Sequence, residues 1–328
     1  MSDLYPLLLK PEFRERIWGT RDLTPIYGEA PGTAPIGEVW LTGDDCKVAN
    51  GPLAGASLGE LCKKYRRELV GETAREADRF PLLIKFLFPR EKLSVQVHPD
   101  DDGAKRVGQP CGKTECWYVL KAEPGAQVGL GLKPGTTREQ FARSIQEVRA
   151  EQLLNWIDIH PGELIYVDAG TVHAIGPGSI LVETQQNSDT TYRLYDYGRP
   201  RELHVEQGLQ ALKEKTRAGK VKAESAKGTW TSLVESPSFR VQQLVLSHRR
   251  SLRKGAADDP GGSSAEVLVG LDGCATVQCG AESVVLGRGD VVVMPAQVKE
   301  YEVRGQWNIE LLRARLPGAS APEPVTYL

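Results

Sequence analysis

Nowhere in its 328 residues does this sequence carry an apolar run approaching the roughly 20 residues that a membrane-spanning helix requires, so none is expected. Near the N-terminus Leu7-Leu8-Leu9 is followed at once by Lys10, Glu12 and Arg14, too short a run and too poorly placed a charge for an export signal. Cys-x-x-Cys spacing is lacking as well. The six cysteines, at positions 46, 62, 111, 116, 274 and 279, form no regular framework. They are therefore read as free thiols in the cytoplasm, small buried hydrophobes before they are ligands. A strong charge of either sign is also missing: the formal net charge is -2, which gives no pull toward nucleic acid. An anionic ligand must be met by a few local Lys and Arg, and function must be sought in a site. Oligomeric state is not legible.

What the sequence does have is abundant Gly and Pro between short apolar runs: Pro81 to Phe88, Leu93 to Val97, Cys116 to Leu120, Glu163 to Val167, Ser179 to Glu183. That rhythm predicts a mainly β protein of barrel or sandwich type. Three stretches break it with helical signatures. Ser57 to Arg79 opens with Ser57 and Glu60 in a capping-box pattern, Thr137 to Trp156 opens with Thr137 and Gln140, and Val205 to Lys215 spaces Val205, Leu209 and Leu212 along one face. These are expected as short helices outside the β core. The length exceeds what one core usually organises and favours two domains.

An internal repeat supports that division. Gly162 is followed by five residues, then Asp168, Gly170 and His173; Gly289 is followed by five residues, then Pro295, Gln297 and Glu300. Upstream, Glu115 opens one strand and Glu266 a similar one. Fifty-eight residues separate Glu115 from His173 and 34 separate Glu266 from Glu300; the excess of 24 matches the segment Thr137 to His160. One β unit used twice is expected, and only the first copy keeps metal-type residues. The charged, Lys/Ala/Gly-rich segment Lys213 to Gly228 reads as the linker, giving domains 1–228 and 229–328, and Pro317 to Pro324 reads as a frayed end.

In Leu93-Ser94-Val95-Gln96-Val97-His98 the period of two places Ser94, Gln96 and His98 on one face. Glu115 and His173, each at a strand end, can complete a four-ligand set for one divalent ion. An amide in place of a second carboxylate leaves such a site with about +1 net charge, suited to one developing oxyanion. His160, His204 and His248 have no second signal and read as ordinary histidines.

The G-x5-P-x-G-x2-H pattern, with Asp168 at the Pro position, resembles a cupin motif. Together with Gln96-Val97-His98-Pro99-Asp100, Lys113-Thr114-Glu115, Gly170-Thr171-Val172-His173 and Thr191 to Tyr197, it resembles type I mannose-6-phosphate isomerase in its short bacterial form, over about Pro6 to Leu212. The resemblance implies two cupin-type (jelly-roll) β-barrels with a few peripheral helices, the second degenerate. It implies zinc on Gln96, His98, Glu115 and His173, with Mn or Co also accepted by such donors. It implies interconversion of mannose 6-phosphate and fructose 6-phosphate, with Arg193, Asp189 and Lys113 catalytic, and Ser94, Arg193 and Lys113 near the substrate. Longer relatives carry Lys-Pro-Glu and a substantial helical domain, where this chain has Lys113-Thr114-Glu115 and short helices; substrate closure and sugar preference are open on that account.

Aldose-ketose interconversion moves a proton between C1 and C2 through an enediol, so it needs a base, an oxyanion stabiliser and a phosphate anchor. Lys113 is favoured as the base over Asp189 or the neighbours of the metal ligands. Arg193 is favoured as the anchor over Arg199, which reads as surface; Glu183 and Gln185 are candidates for supporting hydrogen bonds. Two other readings stand beside this one: a cupin that binds or senses a sugar phosphate without turnover, and an isomerase of another phosphorylated sugar.

Overall fold

The computed structural model describes residues 4–222, 230–246, 251–254, 264–305, 307–317, 324 and 326–327. These form four antiparallel sheets. The eight-stranded sheet runs, in spatial order, Glu12–Thr20, Ile36–Trp40, Leu82–Leu87, Ser179–Gln186, Glu115–Ala122, Leu164–Val167, Gly219–Val221, Thr326–Tyr327; the five-stranded sheet runs Tyr192–Tyr195, Val95–Val97, His173–Ile175, Gln127–Leu132, Leu154–Asp158. In the C-terminal part a six-stranded sheet (Leu7–Leu9, Val291–Met294, Glu266–Asp272, Ile309–Arg315, Arg240–Leu246, Trp230–Glu235) faces a four-stranded one (Ser251–Lys254, Tyr301–Gly305, Cys274–Cys279, Glu282–Gly287).

Side-chain alternation decides how these layers stack. On Glu115–Ala122, Trp117 and Val119 point into the core shared with the five-stranded sheet, while Cys116 and Tyr118 point the other way, into a core that also holds Val267, Val269, Val291 and Val293. On Glu266–Asp272 the intervening Leu268 joins the core against the four-stranded sheet. The large sheets are thus buried on both faces, which is why Leu82–Leu87 and Val291–Met294 read as continuous apolar runs. Each half also lends a strand to the other: Leu7 pairs with Val293, and Thr326 with Val221.

The mainly β expectation holds, but closed barrels do not form; each half is a pair of facing open sheets. Closure fails at the edge strand Glu12–Thr20, which loses register with Ile36–Trp40 after Arg14 and carries no ladder round to the facing sheet. The helices are shorter than expected. Ser57 and Glu60 make their reciprocal capping bonds over Leu58–Tyr65, but after Arg67–Val70 the chain leaves the helix at Gly71, where φ is 93°. Thr137 and Gln140 cap Arg138–Gln146, and Leu154–Asp158 is a strand; the third helix is Val205–Ala211. A short helix, Asp101–Arg106, capped by Asp100, was not anticipated. Phe141 and Ile145 of the second helix and Val205 and Leu209 of the third cover the outer face of the five-stranded sheet through Val95, Val97 and Leu194, whereas Leu58 and Leu61 of the first pack into the core that holds Val267 and Val291. Within the segment expected as a linker, Gly219–Val221 is a strand; residues 223–229, His248 and most of the expected frayed end lie outside the described residues. No helix among the described residues is long and apolar enough to cross a membrane.

Candidate metal centre and active-site cavity

Strand register gathers the site. Gln96 lies directly opposite His173 on one side and opposite Arg193 on the other, so the three side chains share a face, while Val95 and Val97 fill the core on the opposite face. His98 continues the alternation one step past the strand. From the facing sheet, Glu115 shares the inner face with Trp117, and an in-register row of Trp40, Lys85, Glu183 and Trp117 crosses that sheet beside it.

His98, Glu115 and His173 are each at most 1% exposed, and their ligating atoms all lie within 4.8 Å of one another. The Nδ1 of His98 lies 3.0 Å from the Thr190 carbonyl and that of His173 3.0 Å from the Thr171 carbonyl. A carbonyl only accepts, so both Nδ1 atoms donate and both Nε2 lone pairs turn inward. Each lone pair faces an N–H donor: Lys113 Nζ at 3.1 Å from His98 Nε2, and Gln96 Nε2 at 3.2 Å from His173 Nε2. Burial, then Lys113 and His173, hold His98 well below the usual imidazole range, and burial holds His173 down at about 4, so both rings are neutral, the form that ligates metal.

Glu115 sits between them, its Oε2 in an ion pair 3.2 Å from Lys113 Nζ and its buried Oε1 3.4 Å from the unprotonated His173 Nε2, which gives it no hydrogen. Burial pushes its carboxyl up, with Lys113 pulling partly back. A carboxylate so placed is costly unless a cation is near both oxygens. Two inward lone pairs and a buried carboxylate, all within 4.8 Å of one another, fit a divalent ion. Gln96 presents its Nε2 to His173, while Ser94 Oγ donates to its Oε1 at 3.2 Å. Half a turn of the isosteric amide would aim the oxygen inward.

Beside these groups lies a cavity of about 390 Å³ lined by Ser94, Gln96, Lys113, Asp189 and Arg193, all singled out from the sequence. Its wall adds Arg16, Lys85 and Arg201, which sequence reasoning missed, and Glu183, which it had as a supporting group. Lys85 was signalled by being the lone charge in an apolar strand; it pairs with Glu183 at 3.0 Å, both 5% exposed or less. Arg201 is gripped at two points by Asp196, 2.6 Å from Nε to Oδ2 and 2.6 Å from Nη2 to Oδ1. Arg199, expected as surface, is instead 15% exposed and bound to the same Asp196, but it does not line the cavity. Arg193 donates from Nη1 to the Glu202 carbonyl at 2.8 Å, and its buried Nε has no partner. Gln185 is fully buried and turns its amide to the Gln186 and Ser188 carbonyls. Cys116 faces away from the ligand set, and Cys111 contacts the Asn187 carbonyl.

The type I phosphomannose isomerase catalytic-domain model matches residues 7–122. Mannose-6-phosphate isomerase ManA of Bacillus subtilis is 35% identical over 317 residues, covering 92% of this chain and 96% of that protein. The chain belongs to the type I phosphomannose isomerase family. Mannose-6-phosphate isomerase of Streptococcus mutans is likewise 35% identical over 317 residues, with 93% and 96% coverage. The crystal structure of mannose 6-phosphate isomerase from Bacillus subtilis superposes with a TM-score of 0.84 at 31% identity, over 95% of this chain and 99% of that one.

In this member of the family the repeat is visible as register. Glu115 pairs with Val167, just before the turn that leads to His173, and Glu266 pairs with Met294, at the same place before its own turn. The contents differ. Where Glu183 lies opposite Trp117, Arg313 lies opposite Leu268, and Glu266 is met by Arg313 at 3.6 Å, Arg315 at 3.8 Å and the Tyr301 hydroxyl at 2.6 Å. Glu300, aligned with His173 by spacing, is exposed; its neighbour Tyr301 reaches inward.

Proposed function

We propose that the protein interconverts mannose 6-phosphate and fructose 6-phosphate through an enediol at one divalent ion, zinc in the first instance, held by Gln96, His98, Glu115 and His173. The observation that carries this reading is the Glu115 carboxylate, buried with its ligating oxygen within 4.8 Å of two neutral imidazole nitrogens at the side of a cationic cavity. The relatives covering nearly the whole chain are named for this reaction.

When bound, such an ion supplies positive charge where a sugar oxygen becomes anionic during proton transfer. Lys113 is the proton carrier in this reading: as the neutral amine, its Nζ would take the proton from one carbon of the C1–C2 pair and, as the ammonium so formed, return it to the other. Arg193 and Arg201 hold the phosphate dianion; Arg193 has an unused Nε, and Asp196 fixes the planar fork of Arg201. Ser94 orients Gln96 and meets the substrate, and Asp189 lines the cavity where it can accept a sugar hydroxyl. We read the two halves, 1–228 and 229–328, as cupin-type units of which only the first is catalytic, and place the protein in the cytoplasm, with the sugar phosphate as its partner.

The test is a coupled assay of zinc-loaded protein with mannose 6-phosphate. Turnover is expected, is lost on chelator treatment and returns with zinc. Arg193→Ala lowers kcat/KM by about 30-fold or more, the cost of removing one side of a charge-assisted contact. Full metal loading without turnover would overturn the isomerase in favour of a sensor.

A further inference from the structure

The cavity wall supplied by Glu12–Thr20 has a construction that the isomerase reading leaves unused. Arg14 pairs with Glu38 and Glu15 with Ile36; the ladder resumes only at Thr20, again opposite Ile36, so residues 16–19 arch out of the sheet. Two glycines make room: a Cβ on Gly37 would lie 2.5 Å from Arg16 Cβ, and one on Gly19 would lie 2.4 Å from the Ile36 backbone. The crest is tied down where the Trp18 carbonyl accepts from Arg90 N at 2.9 Å and Glu91 N at 3.1 Å. The arch turns Ile17 to solvent and delivers Arg16 and Trp18 to the cavity.

Arg16 Nη2 donates to Glu38 Oε2 at 2.8 Å, and Trp40 Nε1 donates to the same oxygen at 2.8 Å. Both members of the pair line the cavity, Arg16 with 30% and Glu38 with 12% of its side chain exposed. The pair is neutral in sum, and its carboxylate would repel a phosphate. The positive charge for phosphate lies elsewhere: Arg193 has no carboxylate of the described residues at ion-pair distance, and Arg201 shares Asp196 with Arg199, which lies outside the cavity and also meets Glu91 at 3.8 Å. A guanidinium beside a carboxylate instead offers a donor and an acceptor side by side, the complement of two adjacent hydroxyls.

We propose that Arg16 and Glu38 form a hydroxyl-reading pair that determines specificity, gripping neighbouring hydroxyls of the substrate's carbon chain rather than its phosphate. This rests on the phosphosugar reading of the cavity. The arch exists to aim Arg16, and the second Glu38 oxygen accepts from the neighbouring hydroxyl.

The experiment is calorimetric binding to zinc-loaded protein of two unreactive probes, inorganic phosphate and glucitol 6-phosphate, with steady-state kinetics on mannose 6-phosphate alongside. In Arg16→Ala, the glucitol 6-phosphate Kd and the KM are expected to rise together by about tenfold or more, a charged hydrogen bond's worth, with kcat and the inorganic phosphate Kd changed by less than about twofold. Arg16→Lys and Glu38→Gln, which keep the fold if alanine does not, shift the same two constants, because an ammonium lacks the planar fork. Equal weakening of both probes would make Arg16 a phosphate ligand and overturn the proposal; so would an unchanged glucitol 6-phosphate Kd. Wild-type protein that binds both probes but does not turn over would sink the isomerase reading and leave this comparison standing.

Discussion

Glu115→Gln is expected to lose stoichiometric zinc and at least about 100-fold in turnover, as removal of a preorganised electrostatic partner does. His173→Ala should do the same. A readout independent of activity is thermal stability: wild-type protein should gain about 2.7 kcal/mol at zinc one hundred times above its Kd, and both variants should gain nothing. Glu300→Ala, at the position that spacing aligns with His173, should keep both zinc and turnover, since its side chain is exposed and the aligned carboxylate Glu266 already has two guanidinium groups and a tyrosine hydroxyl against it. Zinc loss in Glu300→Ala as deep as in His173→Ala would show that the second half carries a site after all.

That contrast rests on one strand plan carrying two charge balances. In the first half a carboxylate is buried beside neutral imidazoles with Lys113 on one oxygen and no hydrogen-bond partner on the other, an arrangement that a bound cation would complete. In the second half Arg313 and Arg315 are built into the strand beside Glu266, so the cation is covalent. The same ladder register therefore carries a candidate ligand site once and a packed core once.

Much of the candidate site was legible because its residues obey local periods. Gln96 and His98 are two apart on one strand, and Glu115 and His173 stand at corresponding ends of a repeated unit, so neither needed knowledge of the tertiary fold. Arg16 and Arg201 were not legible, because each reaches the cavity through an irregularity: an arch in the edge strand for one and a shared carboxylate after a turn for the other. The failure to close barrels was hidden for a related reason. Strand spacing says where strands lie but not which of them pair, and the pairing of Leu7–Leu9 with Val291–Val293 spans nearly the whole chain. The overlong first helix was a case of charge and spacing continuing past Gly71, which a left-handed backbone ends.

Lys85 is where stability should respond most. It is 2% exposed in a strand buried on both faces, its ammonium 3.0 Å from Glu183 and 5.6 Å from the centre of the Trp40 ring. Burial alone would strip the charge from either partner; Lys85, then Lys113, overcome it and hold the Glu183 carboxyl down at about 2, and Glu183 with Glu38 keeps Lys85 protonated. Lys85→Met keeps the length and apolar stem but leaves Glu183 without this cation, so urea unfolding of the chelator-treated protein should show a loss of about 3–5 kcal/mol. Working without metal keeps ligand linkage out of the comparison. In Lys85→Met with Glu183→Leu both charges go, the desolvation cost of each disappears, and roughly half or more of that loss should return. A double variant no more stable than Lys85→Met would mean that the Trp117 bond to Glu183 and the packing of the row, rather than the ion pair, hold this part of the sheet.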